Sequence, residues 1–389
     1  MKVITDEKRI EEVLNVGVEE IIEREHLFNN LKSGNRLNIK FGIDPTMPDL
    51  HLGHSVPLRK LRQFQDLGHL AVLIIGDATA IVGDPSGRSE TRKMISSTKV
   101  KKNMKNYLKQ AEKILDIRKT KVVYNSKWLD NNMITVLELS KAGSIQQILH
   151  RSDFKKRIEN NQDITLLETL YPLLQGYDSV AVKADLEIGG TDQKFNLLTG
   201  RRVQRYFKMS EQDVLTLPLL EGTDGIKKMS KSYDNYIALD EKPNDMFGKI
   251  MSIKDELIEK YFKLCTNIKQ SEIPKNENLK NNKMKLAYEI VKIYHGEKNA
   301  QKAEENFVST FQKREIPEEM IELQTKEGKT LMDILVEAKI LFSKSDFRRL
   351  VDESAITDLG TNKKITDVNL VPKSGMKFKI GKKRFVKIK

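Results

Sequence analysis

Four short stretches of this 389-residue chain carry residue types that could do chemistry. The first is His51-Leu52-Gly53-His54. Imidazoles can donate hydrogen bonds to phosphate oxygens, and Gly53 lets the backbone come close to a ligand. An H-x-x-H pair could also hold a metal, but no cysteine or third histidine lies nearby to complete a site. In the second stretch, Tyr171, Gln175 and Asp178 are spaced i, i+4, i+7, so one helical face presents a phenol, an amide and a carboxylate together. Most such spacings are solvated polar faces. Here Pro172 and Gly176, poor residues for an ordinary surface helix, favour a pocket for a small polar ligand. The third stretch is Gly189-Gly190-Thr191-Asp192, a turn whose glycines permit close approach and whose Asp192 could accept hydrogen bonds from ribose hydroxyls. The fourth is Lys228-Met229-Ser230-Lys231-Ser232, in a polar loop after Asp224-Gly225. Lysines in loops are usually just solvated. Two lysines and two hydroxyls on a mobile loop can also close on a polyphosphate as charge builds on a leaving group, a reaction that needs positioning and charge more than covalent help.

These stretches need a frame. Asn38–Ile43 reads as a strand, and Val56, Leu58, Leu61, Phe64 and Leu67 recur at helical spacing, with Pro57 in the first turn and Gly68 at the end. Ala71–Gly76 is apolar without alternation, as a parallel strand covered on both faces should be. Strand, helix and strand within about 30 residues form a βαβ unit. The two histidines then sit at a helix N-terminus, where unpaired N–H groups and the dipole favour an anion. Residues 1–30 read as helical and charged. Further helices fit 99–116 and 133–160, with strands at 122–124, 181–188 and 214–220. From about 240 to 310 the pattern is helical, and 311–330 reads as a charged linker. A small module follows, with helices at 331–335 and 345–351, the second capped by Ser345. The last stretch, 373–389, contains no acid; there Met376, Phe378 and Ile380 alternate with Lys377 and Lys379 before Gly381 turns the chain.

The single cysteine, Cys265, excludes a disulfide framework and fits a reducing cytoplasm. No signal peptide or run of transmembrane length is present, so a membrane partner is not expected. The net charge of +13 suits a polyanionic partner, although many basic proteins simply carry solvated lysines.

His51-Leu-Gly-His54 followed by Lys228-Met-Ser-Lys-Ser232 resembles the signature pair of class I aminoacyl-tRNA synthetases. Each half is moderately specific; in order, on a βαβ pattern, they are strongly so. Gly42-Ile-Asp-Pro-Thr46, Gly83-Asp-Pro-Ser-Gly87, Tyr171–Asp178 and Gly189-Gly-Thr-Asp-Gln193 resemble the tyrosyl-tRNA synthetases in particular. The C-terminal module is similar to a small RNA-binding domain that bacterial members share with a ribosomal protein.

The resemblance implies a Rossmann-like α/β parallel-sheet catalytic domain over 1–232, an α-helical domain with linker over 233–330, and a small α+β RNA-binding domain over 331–389. It also implies residue roles. Asp84, Tyr171 and Gln175 would hold the ammonium of L-tyrosine, Asp178 its phenolic hydroxyl, and Gln193 would lie near its carboxylate, with Asp44 at the pocket edge. His51, Gly53 and His54 would meet ATP, Gly190 and Asp192 its ribose, and Lys228, Met229 and Lys231 its phosphates. Arg88 and Arg92 match basic positions thought to help there. ATP with Mg2+ would be the co-substrate, with no protein-bound metal. The partner would be tRNA(Tyr), gripped by Arg348, Arg349, Lys377, Lys379, Lys382, Lys383 and Arg384. Family members are homodimers. One departure stands out: better-known bacterial relatives carry a second tyrosine where this chain has Lys40, which opens the question of how the phenolic hydroxyl is shared. Rival readings are a tryptophanyl relative, a nucleotidyltransferase with a similar H-x-G-H turn, and a non-catalytic RNA-binding protein built on a retired synthetase.

Overall fold

The computed structural model describes residues 2–86, 95–129, 133–274, 278–312, 320–324, 328–361, 363–381 and 384–389, with 133–135 and 311–312 described by backbone alone. The chain forms two compact units, Met1–Gln301 and Lys302–Lys389.

In the first unit six strands form one sheet: β1 (Glu20–Ile22), β2 (Asn38–Ile43), β3 (Leu70–Ile75), β4 (Thr120–Tyr124), β5 (Leu186–Gly190) and β6 (Asp213–Leu217). Their spatial order is β1-β6-β5-β2-β3-β4, all parallel except β1, which lies antiparallel on the β6 edge. Helices cover the faces, so β3 is buried from Ala71 to Ile75, as its unbroken apolar run requires. The strand order reverses between β2 and β5. In open α/β sheets ligands bind beyond the carboxyl ends of the strands at such a switch point. The expected βαβ unit is present, with the helix Leu52–Asp66 between β2 and β3.

Several local expectations change. Pro57 sits in the second turn of its helix, not the first, where its ring removes a backbone donor. The N-terminal segment is not all helix, because Glu20–Ile22 adds the edge strand β1; three residues are too few to show a period. The span 99–116 holds two short helices, Ser97–Met104 and Tyr107–Ala111. The strand expected at 181–188 begins later: the helix Leu166–Val182 runs on through Val180-Ala181-Val182 and ends at Lys183 in a left-handed conformation. The helices between Pro243 and His295 fall within the first compact unit together with the sheet. Arg59 donates to Asn267 Oδ1 at 2.7 Å and Tyr261 Oη to the Glu221 carbonyl at 2.6 Å, tying them to the sheet's own helix and loop.

In the second unit β7 (Ile321–Leu323), β8 (Ile356–Asp358), β9 (Lys363–Lys364), β10 (Lys377–Ile380) and β11 (Arg384–Ile388) form a sheet in the order β7-β11-β10-β8-β9. The helices Leu331–Glu337 and Lys344–Asp352 close its core of Leu331, Leu335, Phe347, Phe378, Ile380 and Val386. The alternation in 376–380 places Phe378 and Ile380 inside with Lys377 and Lys379 half out. The expected linker at 311–330 is corrected here: Ile321–Leu323 is a strand parallel to β11, so this unit starts before 331. The cap of the second helix is Ser343, whose hydroxyl accepts the Asp346 N–H at 3.2 Å, and not Ser345.

Candidate active site

The carboxyl ends of β2, β3 and β5 open onto a cavity of about 480 Å³, lined by residues from all four stretches singled out by sequence. At its inner end lie Asp44, Asp84, Tyr171, Gln175, Asp178 and Gln193; at its outer end His51, Gly53, His54, Gly190, Asp192, Lys228, Met229 and Lys231.

The inner end is a chain of hydrogen bonds. Tyr171 Oη donates to Asp44 Oδ2 at 2.9 Å, and Thr79 Oγ1 to Asp44 Oδ1 at 2.7 Å. Burial first, then the Asp44 and Asp84 charges, push the Tyr171 hydroxyl well above its ordinary value, so it stays a donor. Gln193 Nε2 donates to Asp84 Oδ2 at 2.7 Å, and Asn196 holds the Gln193 carbonyl at 3.0 Å. Asp178 is 4 % exposed and accepts from Trp128 Nε1 at 2.8 Å and Asn125 Nδ2 at 3.3 Å. Burial pushes its carboxyl up to about 6, opposed by the Lys40 charge and then by these two donors. Gly176 serves packing: a Cβ there would meet Val203 at 2.8 Å, on the helix Lys194–Tyr206, and the glycine does not shape the pocket.

At the outer end His51 is the N-cap of the Leu52–Asp66 helix, with its backbone N–H on His54 Nδ1 at 3.3 Å and the two rings 3.8 Å apart. A Cβ on Gly53 would stand 3.0 Å from the His51 ring, so any side chain there would press on that ring where it folds over the turn. His51 Nδ1 is buried without a hydrogen-bond partner. Burial leads the causes that lower both histidines, His54 to about 4, so both are uncharged donors at neutral pH. The buried His69 is likewise lowered to about 4. A histidine lowered by folding stabilises fully above its ordinary 6.5 and loses that stability as pH falls toward 4. Asp178, Asp185, Asp213, Glu241 and Glu304, all raised by burial, work in the opposite sense. Only Asp178 among them is moved far, whereas His51, His54 and His69 are all moved far and His295 is lowered with them. The Tm of the free protein should therefore drop between pH 6.5 and 4 in a thermal-melt series; a level Tm across that window would contradict the assignment.

The lysine loop is built onto the histidine turn. Leu52 N–H donates to the Ile237 carbonyl at 3.0 Å and Leu239 N–H to that of Leu50 at 2.9 Å. Asn235 pins the loop from inside, accepting the Ser230 N–H at 2.8 Å and donating to the Lys228 carbonyl at 3.2 Å. Lys228 Nζ pairs with Asp192 at 2.7 Å, and the buried Lys231 Nζ pairs with Asp49. Both cations thus face the cavity already held by carboxylates that a phosphate could displace.

Of the expected site residues, Lys40 is the one the structure removes from the pocket. Its ammonium lies beneath the cavity floor, on Glu187, and does not line the cavity. A lysine in the middle of a central strand reaches the next strand more readily than a ligand beyond the strand ends. Arg88 and Arg92 lie outside the described residues. In the second unit Arg348, Arg349 and Arg384 are exposed and Lys377 and Lys379 half-buried, with Arg349 paired to Glu353 at 3.0 Å. Lys382 and Lys383 lie outside the described residues. Sequence reasoning missed Asp49, Thr79, Asn125, Trp128, Glu187, Asn196 and Asn235. Only two gave any signal: Trp128 is the chain's single tryptophan, and Glu187 is a lone charge in an apolar strand. Among the described residues no group of three or more His, Cys, Asp or Glu side chains is placed to hold a metal ion.

A switch-point cleft, with a histidine turn on one wall and a lysine loop on the other, is the frame of a class I aminoacyl-tRNA synthetase. The family model of class I tRNA synthetases (W and Y) matches residues 32–312. The tyrosine–tRNA ligase of Thermotoga maritima is 45% identical over 99% of this chain and 98% of its own length. That of Aquifex aeolicus is 46% identical over 97% of each. Among solved structures, a C-terminally truncated Aspergillus nidulans mitochondrial tyrosyl-tRNA synthetase shares the fold with a TM-score of 0.66, covering 78% of this chain and 94% of that one at 24% identity. A tyrosyl-tRNA synthetase from Archaeoglobus fulgidus, complexed with L-tyrosine, gives 0.60 over 77% and 100% at 19% identity. The chain belongs to the tyrosine–tRNA ligases, within the W and Y family of class I synthetases.

Proposed function

We propose that the chain activates L-tyrosine with ATP and transfers it to tRNA(Tyr). One observation carries this reading: amino-acid-binding chemistry and phosphate-binding chemistry occupy opposite ends of a single cavity. Asp178 accepts the phenolic hydroxyl, while Asp84, Tyr171 and Gln175 receive the ammonium, leaving the carboxylate toward Gln193 and the outer end. A carboxylate oxygen attacks the α-phosphorus of Mg·ATP; the new C–O–P bond forms as the bond to the β-phosphate oxygen breaks, and pyrophosphate leaves. Magnesium arrives with the nucleotide. His51 and His54 donate to the phosphate oxygens, Asp192 holds the ribose, and Lys228 and Lys231 take up the charge that grows on the leaving pyrophosphate. In the second step the terminal ribose hydroxyl of tRNA attacks the tyrosyl carbonyl carbon, and AMP departs. No protein nucleophile takes part. Tyrosine-dependent ATP–pyrophosphate exchange tests the first step and separates this reading from its rivals; exchange driven by tryptophan, or none, would overturn it.

Every residue lining the cavity belongs to the first unit. A chain ending at residue 312, ahead of β7, should therefore keep tyrosine-dependent exchange near the full rate. It should lose most tRNA affinity and charging, together with the salt dependence that each neutralised phosphate brings, a slope of about −0.9 per contact on duplexes. Full-rate charging by the short chain would remove the second unit from the reaction; loss of exchange would give it a role in folding instead.

The reading includes a homodimer working in the cytoplasm. Leu137, Ile145, Ile158 and Leu166 stand more than half exposed on helices that lie side by side, an apolar surface suited to a second copy. Light scattering should give twice the chain mass, and Leu166→Glu should lower it. Among the described residues no helix is long and apolar enough to cross a membrane.

A further inference from the structure

A charged pair at the pocket floor, Glu187 on the cavity lining and Lys40 behind it, is not used by the reaction as described. Lys40 on β2 and Glu187 on β5 are register partners on the two central strands, and both are 0–1 % exposed. Lys40 Nζ lies 2.8 Å from Glu187 Oε1, 3.0 Å from the Gln175 carbonyl and 2.7 Å from Ser179 Oγ. An ammonium has three protons, and these three acceptors use them all. Glu187 in turn accepts Gln175 Nε2 at 3.1 Å, Ser179 Oγ at 3.2 Å and Gln212 Nε2. Gln175 and Ser179 flank Asp178 on the Leu166–Val182 helix. A buried ion pair adds little stability over a well-packed apolar pair, so stability alone does not account for it.

We propose that Lys40, with Glu187, is a positioning residue for tyrosine selection: the pair locks the Gln175 amide and lays a positive charge under the helical turn that carries Asp178. The inference rests on the tyrosine-activating reading. Asp178 accepts hydrogen bonds from two neutral donors, Trp128 and Asn125; each offsets part of the cost of burying its charge, and less of it than the Lys40 charge does. Tyr171 on its own helix and Asp44 and Asp84 beyond it add no positive charge; Lys228 and Lys231 are spent on Asp192 and Asp49. The neighbouring helices Thr79–Val82 and Ile145–Leu149 contain no charged residue, the Lys194–Tyr206 helix meets it with Gly200 and Val203, and on Met133–Ala142 Glu138 and Lys141 pair with each other. Lys40 is therefore the cation that favours the ionised carboxylate, and Glu187 opposes it from farther along the same pair. An ionised Asp178 accepts a phenolic O–H; a protonated one is a weaker and less selective partner.

The test uses the chain's single tryptophan, because Trp128 donates its indole N–H to Asp178 and reports on that carboxylate. Trp128 fluorescence of the full-length protein is titrated from pH 4 to 8. Wild type should show a midpoint near the carboxyl's value of about 6, and Asp178→Asn should abolish it. Lys40→Met should raise the midpoint by about one unit or more, and Glu187→Gln, which leaves the lysine, should lower it. The double variant should fall between the two singles and above wild type. At pH 7 Lys40→Met should also lower the tyrosine-over-phenylalanine ratio in pyrophosphate exchange roughly tenfold. A midpoint unmoved by Lys40→Met, or single variants that move it the same way, would leave the pair a structural role only. A shifted midpoint with an unchanged ratio would overturn its part in selection. Should Lys40→Met fail to fold, the double variant against Glu187→Gln decides the same sign. A wild type that titrates as expected but shows no tyrosine-dependent exchange would sink the proposed function and leave the charge coupling standing.

Discussion

Replacing Asp178 with alanine should collapse the choice between tyrosine and phenylalanine. The two amino acids differ by one hydroxyl, and a site built to hydrogen-bond that group leaves a buried polar atom unpaired when phenylalanine enters. Such sites reach discrimination of about 10⁴–10⁵, a magnitude whose standard example is itself a tyrosyl-tRNA synthetase and which is adopted from that example. Asp178→Ala removes the acceptor and strands the Trp128 and Asn125 donors in a buried wall, where the tyrosine hydroxyl cannot satisfy both. The ratio of kcat/KM values in competitive pyrophosphate exchange should fall by about a hundredfold or more, with most of the loss on tyrosine. Asp178→Asn keeps the shape but turns an acceptor edge into a donor, and should fall between alanine and wild type. An unchanged ratio would move hydroxyl recognition away from Asp178. Lys40 could not inherit it, since its three protons are spent beneath the pocket floor.

Lys231→Ala should slow adenylate formation by about 10²–10³, the usual cost of removing one preorganised donor aimed at developing charge. The effect should fall on the rate and only weakly on ATP affinity, because in the free protein Lys231 is paired with Asp49 and exchanges one anion for another as pyrophosphate departs. Asp49→Ala probes the same exchange from the other side: it removes the competing carboxylate and should tighten ATP binding without a comparable gain in rate. Single-turnover measurements separate the terms. If Lys231→Ala weakened ATP binding alone, the charge-clamp role would be wrong.

The sequence by itself determined where the chemistry lies. The histidine turn could be placed because the apolar runs before and after it have the periods of a strand and a helix, and a helix N-terminus has a fixed electrical sense. Tyr171, Gln175 and Asp178 could be grouped because a helix brings i, i+4 and i+7 to one face whatever surrounds it. The hairpin at 377–388 could be read from alternation alone. All of these are short-range consequences of backbone geometry. What the tertiary structure decided is which of those groups remain free to act. Lys40 looked like a pocket residue and lies behind the cavity floor because its partner, Glu187, lies on a strand distant in sequence but adjacent in the sheet. Gly176 looked like a pocket feature and proved to be the contact of one helix on another. Ile321–Leu323 looked like linker because a lone three-residue strand has no period, and it gains its hydrogen bonds only from β11. Asn125 carries no local signal, and nothing local ties the single tryptophan, Trp128, to Asp178, since only the fold brings both within hydrogen-bond reach of it. Local periodicity is written in the order of the residues, whereas a buried charge depends on which distant strand or helix the packing places beside it.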